Sequence, residues 1–297
     1  MNSFLNSKTT IYGALIVSMV FWSFSFVWYR LIFEFYKPMT VIILRLTISS
    51  IILIIFTLLI GKLQKLRKED IWKMIALSFF QPFLYFFGES LGMQYVSATT
   101  GAVVISIIPL VTPIAAYFFL NERLKLMNYF GLFFSFTGVS LVIFENDFSL
   151  NAPVNGILFL LLAVVAAVAY SVYLLKLTSR YNTLTIITYQ NTIGIFYFLP
   201  FFLIFEYNHF KEVPITMELA IPLLELAIFA SSFAFILFTY GIRKLGISKA
   251  NTFSNLIPVF TAVFAFFRLG EDLNLQKIIG VFIVMGGLYL SQFNRKP

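Results

Sequence analysis

Long apolar runs separated by short polar breaks dominate the pattern along this chain. Each run is continuously apolar over about 16–24 residues, without alternation of apolar and polar positions. A membrane-crossing helix needs about 20 apolar residues, whereas the strands of a membrane barrel alternate. The pattern therefore predicts an all-α integral membrane protein with ten transmembrane helices. We place them at about 11–33, 41–60, 71–94, 101–119, 128–144, 156–176, 184–205, 219–240, 250–267 and 278–293.

Composition excludes an ordinary soluble enzyme. The 297 residues are 60% hydrophobic and 11% charged, whereas about 25% of the residues of a globular domain are charged. The longest polar segments, 61–70 and 206–218, are predicted to be loops. The chain has no cysteine, and its single histidine, His209, falls in the second loop. We therefore expect no disulfide, no metal site and no cofactor.

The charge distribution predicts topology. The net charge of +8 is compatible with nucleic-acid binding, but the basic residues lie in short loops between apolar runs. With the N-terminus in the cytoplasm, 15 of the 21 lysines and arginines fall on the inner side, 5 on the outer side and 1 within a span. This bias predicts that both termini are cytoplasmic. We expect a multi-pass protein of the bacterial plasma (inner) membrane. The predicted partners are the lipid bilayer and a small-molecule solute, and not nucleic acid.

The sequence contains an internal repeat. Sliding the chain by 149 positions superposes 88–144 on 237–293, and the matches include prolines, glutamates and glycines. We expect two five-helix halves, 1–150 and 151–297. An odd number of spans in each half inverts the second half relative to the first, which is typical of alternating-access carriers. The alternative is a duplication that only built a stable bundle. The matched pairs are Gly92/Gly241, Ile108/Ile257, Pro109/Pro258, Thr112/Thr261, Ala116/Ala265, Phe118/Phe267, Leu120/Leu269, Glu122/Glu271, Leu124/Leu273, Gly131/Gly280 and Gly138/Gly287.

These repeated features carry a resemblance to a known family. Each half has Ile-Pro at 108–109 or 257–258, Leu-x-Glu-x-Leu at 120–124 or 269–273, and a glycine-bearing last helix. Over essentially the whole chain, this arrangement resembles the EamA-type branch of the drug/metabolite transporter superfamily. The resemblance implies a ten-helix bundle with a central cavity lined by helices 1, 3, 4, 6, 8 and 9. It also implies transport of amino acids, metabolites or drugs, often outward.

Three charged residues lie deep within predicted spans: Arg45, Glu89 and Glu225. A charge at this depth costs about 2.5–3.5 kcal/mol on insertion scales, so each one needs a reason. The ~1.5 Å rise per residue places all three at a similar depth in the outer half of the membrane. Arg45 and Glu89 are a predicted ion pair, which clamps helices 2 and 3. Alternatively, Glu89 or Glu225 couples transport to protons, and a purely structural Glu225 faces water at the cavity mouth.

Polar and aromatic residues within the spans are candidates for the cavity wall. Gln81 precedes a proline in helix 3, and Asn251 and Asn255 lie one helical turn apart in helix 9. Trp22 and Tyr85 could line a cavity suited to apolar or aromatic solutes. The alternative for the amides is hydrogen bonding between helices, because buried amides in a membrane seek partners.

Matched prolines and glutamates suggest moving parts. Pro109 and Pro113 in helix 4 and Pro258 in helix 9 each remove a backbone donor, and we interpret them as hinges. Glu122 and Glu271 follow these two helices and are candidate gates. Their expected partners are Arg123 or Lys125 for the first, and Arg268 or Lys277 for the second. The alternative is an ordinary charged loop.

The glycine-rich last helix of each half predicts close packing within that half, and the chain is expected to be a monomer or a homodimer. The leading function is a secondary transporter, either an exporter or an exchanger, and not an enzyme. No Gly-x-x-x-x-Gly-Lys-[Ser/Thr] nucleotide-binding loop occurs, so hydrolysis of ATP by this chain is not expected. The alternatives are a membrane-embedded enzyme, for which no catalytic motif is present, and a passive channel.

Overall fold

The computed structural model describes residues 8–120, 126–143, 153–272 and 274–292, and within these ranges it consists of helices and contains no strand. The chain is therefore all-helical, as its sequence predicts. The helices, numbered in chain order, are α1 (Lys8–Ile32), α2 (Pro38–Leu59), α3 (Lys68–Met93), α4 (Ala98–Phe119), α5 (Leu126–Ile143), α6 (Val154–Thr178), α7 (Thr183–Glu212), α8 (Met217–Leu245), α9 (Ile247–Leu269) and α10 (Leu275–Gln292).

Eight of the described helices are long and apolar enough to cross a membrane, namely α1–α4 and α6–α9. The last helix contributes a shorter apolar stretch, Leu275–Gly287. The protein is thus a multi-pass membrane protein, and ten spans remain a prediction.

Local sequence signals set the ends of several helices. Pro38 occupies the start of α2, where its missing N–H costs no hydrogen bond. The Ser97 and Asn182 side chains accept hydrogen bonds from backbone N–H groups in the first turns of α4 and α7. Gly246 and Gly270 have φ angles of 80° and 65°, and they end α8 and α9 in backbone conformations that other residues rarely adopt. Short connections therefore follow from the residues at each boundary.

The predicted loop 206–218 is wrong over its first half, because α7 continues through Glu212 and includes His209. The reason is the buried carboxylate of Glu206 at the start of α2. It accepts hydrogen bonds from the Met39 and Thr40 backbone N–H groups at 3.2 and 2.7 Å and from Thr40 Oγ1 at 2.8 Å. These contacts satisfy free amides at a helix N-terminus, so a charged residue is accommodated within a continuous helix.

Helices pack against partners from the opposite half of the chain. α1 packs against α8 and α9, while α6 packs against α3 and α4. In addition, α2 packs against α7, and α5 against α10. The prediction that the glycine-rich helices pack within each half is wrong. A Cβ atom on Gly138 would lie 2.6 Å from the carbonyl oxygen of Gly280, so these glycines bring α5 and α10 together across the two halves.

Candidate functional site

Six helices surround a small cavity near the middle of α1 and α3, which we call the central cavity. Its volume of about 30 Å³ is on the scale of one or two water molecules, so it is too small for an organic solute in this conformation. The six helices are α1, α3, α4, α6, α8 and α9. The lining residues are Trp22, Gln81, Tyr85, Ile105, Ile108, Ala167, Tyr170, Ser171, Phe238, Asn251, Ser254 and Ile257.

Four of the five sequence-predicted cavity residues line this wall: Trp22, Gln81, Tyr85 and Asn251. Asn255 is not among the lining residues, and its Nδ2 donates to the Thr252 carbonyl oxygen at 2.7 Å. The prediction assumed α-helical spacing between Asn251 and Asn255. Residues Thr252–Asn255 instead form a 3₁₀ turn, in which residues four apart no longer share a face.

Aromatic rings form a large part of the wall. The Trp22 ring makes edge contacts with Phe235 and Phe238, with ring centroids 5.1 and 4.8 Å apart. Its Nε1 donates to the Ala230 carbonyl oxygen at 3.2 Å, which fixes the indole across α8. The ring therefore offers an apolar surface to the cavity, while its polar atom is satisfied elsewhere.

The polar groups of the wall differ in how well they are satisfied. Asn251 Nδ2 donates to Thr112 Oγ1 at 3.1 Å and to Ser171 Oγ at 3.2 Å, and so connects α9 with α4 and α6. By contrast, no hydrogen bond of the Gln81 side chain occurs within the described residues, although only 4% of Gln81 is exposed. The Gln81 amide is not among the fully enclosed polar atoms without a partner, so it is open to the cavity, where a ligand or a water molecule can satisfy it.

A charged cluster lies directly behind the cavity wall. The Arg45 guanidinium is 3.9 Å from the Glu89 carboxylate, and Arg45 Nη1 donates to the Tyr29 hydroxyl between them. Tyr29 donates to Glu89 Oε2 at 3.1 Å, and Tyr85 donates to Oε1 at 2.9 Å. Since Tyr85 also lines the central cavity, Glu89 is one hydrogen bond away from it. We call Tyr29, Arg45, Tyr85 and Glu89 the Arg45 cluster.

The cluster also joins α1, α2 and α3 to α8. Arg45 Nε donates to Ser231 Oγ at 2.7 Å, and the guanidinium carbon lies 4.1 Å from the centre of the Phe86 ring. Both charged side chains are almost fully buried. Removing one partner would leave a buried charge uncompensated, which typically costs about 3–5 kcal/mol.

Glu225 is not part of this cluster. It borders a separate, open cleft of about 750 Å³ between α1, α8 and α9. The cleft has aromatic walls that include Phe21, Trp28 and Phe229, with the carboxylates of Glu34 and Glu218 near its rim. No hydrogen bond or ion pair of Glu225 occurs among the described residues. The structure therefore does not bring Glu225 to the central cavity.

The matched prolines follow breaks in two helices. α4 is interrupted at residues 106–107, immediately before Pro109, and Pro113 lies in the segment that follows, Ile108–Leu120. α9 is interrupted by the 3₁₀ turn at Thr252–Asn255, shortly before Pro258. Wider π-helical turns interrupt α3 at Phe79–Leu84 and α8 at Leu226–Phe233. Such turns are local weak points in a helix and are common at functional sites.

Glu271 holds the start of α4. The Ala98 N–H donates to Oε1 at 2.7 Å, while the Thr99 N–H and Oγ1 donate to Oε2 at 3.2 and 2.7 Å. We call these three residues the Glu271 clasp. The expected pairing with Arg268 or Lys277 is wrong for the described residues, because the free amides of a helix N-terminus bind the carboxylate instead. Glu122, with Arg123 and Lys125, lies outside the described residues.

At the opposite end of the bundle, sequence reasoning missed a second contact. The carboxylate of Asp70, at the start of α3, lies 2.7 Å from Lys73 Nζ and 3.0 Å from Arg180 Nη1. Tyr181 also donates to it at 3.0 Å. We call Asp70, Lys73, Arg180 and Tyr181 the Asp70 joint. Hydrogen bonding to Asp70 raises the pKa of the Arg180 guanidinium, so this residue stays charged.

Comparisons with known proteins agree with this architecture. The profile of the EamA-like transporter family matches residues 9–144 and 154–293. An uncharacterized transporter of Archaeoglobus fulgidus is 27% identical over 279 residues, which cover 93% of this chain and 96% of that protein. The uncharacterized transporter YetK of Bacillus subtilis is 26% identical over 258 residues, 85% of this chain and 78% of YetK. A solved crystal structure shares the fold with a TM-score of 0.77 at 17% identity, covering 96% of this chain and 97% of that one.

Proposed function

Because this chain belongs to the EamA-like transporter family, we propose that it is a secondary transporter that moves a small organic solute by alternating access. The observation that carries the proposal is the central cavity, which six helices from both halves of the chain enclose. A carrier needs such a site between two units that can rock against each other. The small cavity corresponds to an occluded conformation, and the solute enters when one end of the bundle opens.

The helix breaks supply the flexibility for this cycle. Pro109 and Pro258 follow interruptions in α4 and α9, and both helices line the cavity. Bending at these points would move the end of α4 that the Glu271 clasp holds. The Asp70 joint closes the other end of the bundle. Opening of the clasp and of the joint in turn would expose the cavity to one side and then to the other.

Glu89 is the proposed proton carrier. It is the carboxylate of the Arg45 cluster, and Tyr85 connects it to the cavity through a hydrogen bond of 2.9 Å. Protonation would remove its charge from Arg45 and weaken the contacts that join α1, α2 and α3. Glu225 is the alternative carrier, and its position in the open cleft gives it access to solvent.

The charge pattern and the family support a membrane location and a direction of transport as further parts of the proposal. The 15-to-5 distribution of basic residues supports an orientation with both termini in the cytoplasm, and we propose the bacterial plasma membrane as the location. In that orientation, the Asp70 joint faces the cytoplasm and the Glu271 clasp faces outward. We propose net export or exchange of the solute, by a monomer or a homodimer.

The experiment is solute transport by the purified protein in liposomes under an imposed pH gradient. The panel contains amino acids, aromatic metabolites and uncharged aromatic amides. Glu89→Gln is expected to abolish proton-driven accumulation while exchange continues, and Glu225→Gln is tested beside it. Glu212→Gln, at an exposed acid in the last turn of α7, is the matched control. Normal accumulation by both Glu89→Gln and Glu225→Gln contradicts proton coupling by these acids, and absence of any protein-dependent exchange contradicts the transporter itself.

A further inference from the structure

The wall of the central cavity carries no charge. None of its twelve lining residues is charged, and all twelve are described in the structure. The nearest buried charges, Arg45 and Glu89, are occupied with each other and with two tyrosines behind the wall. A charged group on a solute would therefore lose its hydration without finding an opposite charge in the wall.

The backbone amides at the interruption of α4 are largely occupied as well. At the interruption of α4, the Ser106 N–H donates to the Ala102 carbonyl oxygen at 3.0 Å and the Ile107 N–H to that of Val104 at 3.0 Å. Pro109 has no N–H to offer. Free amides of broken helices bind carboxylates in other carriers, whereas the Ser106 and Ile107 amides of this break are already paired.

Two wall residues have polar groups without partners. The Gln81 amide and the Ser254 hydroxyl make no hydrogen bond to any described residue, although only 4% and 3% of these residues are exposed. The other polar groups of the wall are better satisfied, since Trp22 and Asn251 donate to neighbouring helices. Neither residue has a fully enclosed polar atom without a partner, so the amide and the hydroxyl are open to the cavity that both residues line. They are therefore groups that a ligand can satisfy.

On the basis of the proposed transport function, we infer that the solute is an uncharged molecule with an aromatic or cyclic apolar body and a carboxamide-type group that pairs with Gln81. A primary amide matches the Gln81 side chain, because each offers one acceptor oxygen and two N–H donors. Ser254 supplies a further hydroxyl from α9. The rings of Trp22, Tyr85 and Phe238 pack against the apolar body.

The inference predicts different affinities for four molecules that share a phenyl ring on a short alkyl chain. Phenylalanine carries two charges, phenethylammonium one positive charge and 3-phenylpropanoate one negative charge, whereas 3-phenylpropanamide is uncharged. A site that discriminates through unpaired hydrogen-bonding groups rejects molecules that leave those groups unsatisfied. The uncharged amide should therefore bind best, and Gln81 should be the residue that recognises it.

The test measures binding of these four compounds to the purified full-length protein in lipid nanodiscs. Substitution of Trp28 and Trp72 by phenylalanine leaves Trp22 as the only tryptophan, so its fluorescence reports on the cavity. We expect 3-phenylpropanamide to bind at least about tenfold more tightly than the three charged compounds. Gln81→Met should weaken amide binding by roughly tenfold, a loss typical of an unpaired hydrogen-bonding group.

Two further variants keep the result interpretable. Gln94→Met changes an exposed glutamine at the end of the same helix and should leave binding unchanged. Ser254→Ala should weaken amide binding even if Gln81→Met does not fold. Equal or tighter binding of a charged compound, or unchanged amide binding by both Gln81→Met and Ser254→Ala, overturns the inference. The transport proposal survives that result as long as the liposomes show protein-dependent exchange of any solute.

Discussion

At one end of the bundle, the start of α3 meets the connection between α6 and α7. At the other end, the start of α8 meets the connection between α1 and α2. The repeat that we predict from the sequence would relate these two regions, because Tyr36 precedes Tyr181 by 145 positions and Glu69 precedes Glu218 by 149. The first region is the Asp70 joint. In the second, which we call the Tyr36 joint, Tyr36 packs with Leu219 and Leu223.

The two joints use opposite kinds of contact. Tyr181 donates its hydroxyl to the buried carboxylate of Asp70, which also receives two basic groups. Tyr36 is only 2% exposed, and its hydroxyl has no partner among the described residues. Beside it, Glu218 faces the open cleft of about 750 Å³. Ionised side chains of both signs therefore meet at the Asp70 joint, whereas apolar packing forms the Tyr36 joint. The polar contacts at this second end are those of the Glu271 and Glu206 carboxylates with the starts of α4 and α2.

This difference predicts which end of the bundle opens more readily in the proposed cycle. Oriented, charge-assisted hydrogen bonds are lost abruptly when a joint separates, whereas apolar surfaces can slide and repack. We expect the Asp70 joint to be the harder one to open. A variant that removes its central charge should produce the largest change in access to the central cavity.

The largest effect is predicted for Asp70→Asn. The asparagine amide carries no negative charge to neutralise Lys73 and Arg180. The end of the bundle at the Asp70 joint should therefore open more often. The chain has no cysteine, so Ser254→Cys provides a unique thiol in the cavity wall. Its labelling by a membrane-impermeant reagent from the Asp70 side should accelerate by roughly tenfold, the scale of a typical coupling free energy.

Glu69→Gln is the control for this variant. Glu69 also pairs with Arg180, at 2.8 Å, but 61% of its side chain is exposed. Exposed pairs contribute little, so labelling should change less than about twofold. Equal effects of Asp70→Asn and Glu69→Gln would show that burial of the Asp70 carboxylate does not hold this end closed.

A smaller effect is predicted for Glu271→Gln. Glutamine retains one acceptor oxygen but loses the charge that binds the α4 N-terminus. Labelling of the same cysteine from the opposite side should therefore accelerate by about fivefold, less than the full value of a hydrogen bond to a charged group. Asp272→Asn changes the adjacent, exposed acid and should have no effect. Faster labelling from the Asp70 side in Glu271→Gln would contradict the assignment of the clasp to its own end.

The sequence predicts the elements of this comparison unevenly. Charges within apolar runs are conspicuous, so Arg45 and Glu89 can be paired from their depth alone. Asp70 and Tyr181 are 111 positions apart. Both lie at the polar ends of helices, where charged residues are common and do not by themselves indicate a contact. Asn255 was misplaced because a 3₁₀ turn changes the helical period locally. Periodicity thus predicts helices well, but contacts between helix ends depend on tertiary geometry that no local pattern encodes.

The smallest effects are predicted for two tyrosines at positions that the predicted repeat makes equivalent. Tyr181→Phe removes the hydroxyl that donates to Asp70 and accepts from the Arg67 N–H at 3.1 Å. It should lower the thermal unfolding midpoint by roughly 4–8 °C, since each of the two lost hydrogen bonds contributes about 1 kcal/mol. Tyr36→Phe removes a buried hydroxyl without a partner, so its midpoint should stay the same or rise slightly.

The sign of the difference between these variants decides the comparison. Both substitutions delete one oxygen atom and keep the ring, so any loss of packing is matched. If the two joints used the same kind of contact, both variants would be destabilised to the same extent. A fall of the midpoint in Tyr36→Phe as large as that in Tyr181→Phe would show that the Tyr36 hydroxyl has a partner after all. The Tyr36 joint would then be a second polar joint, and the two ends of the bundle would be equally hard to open.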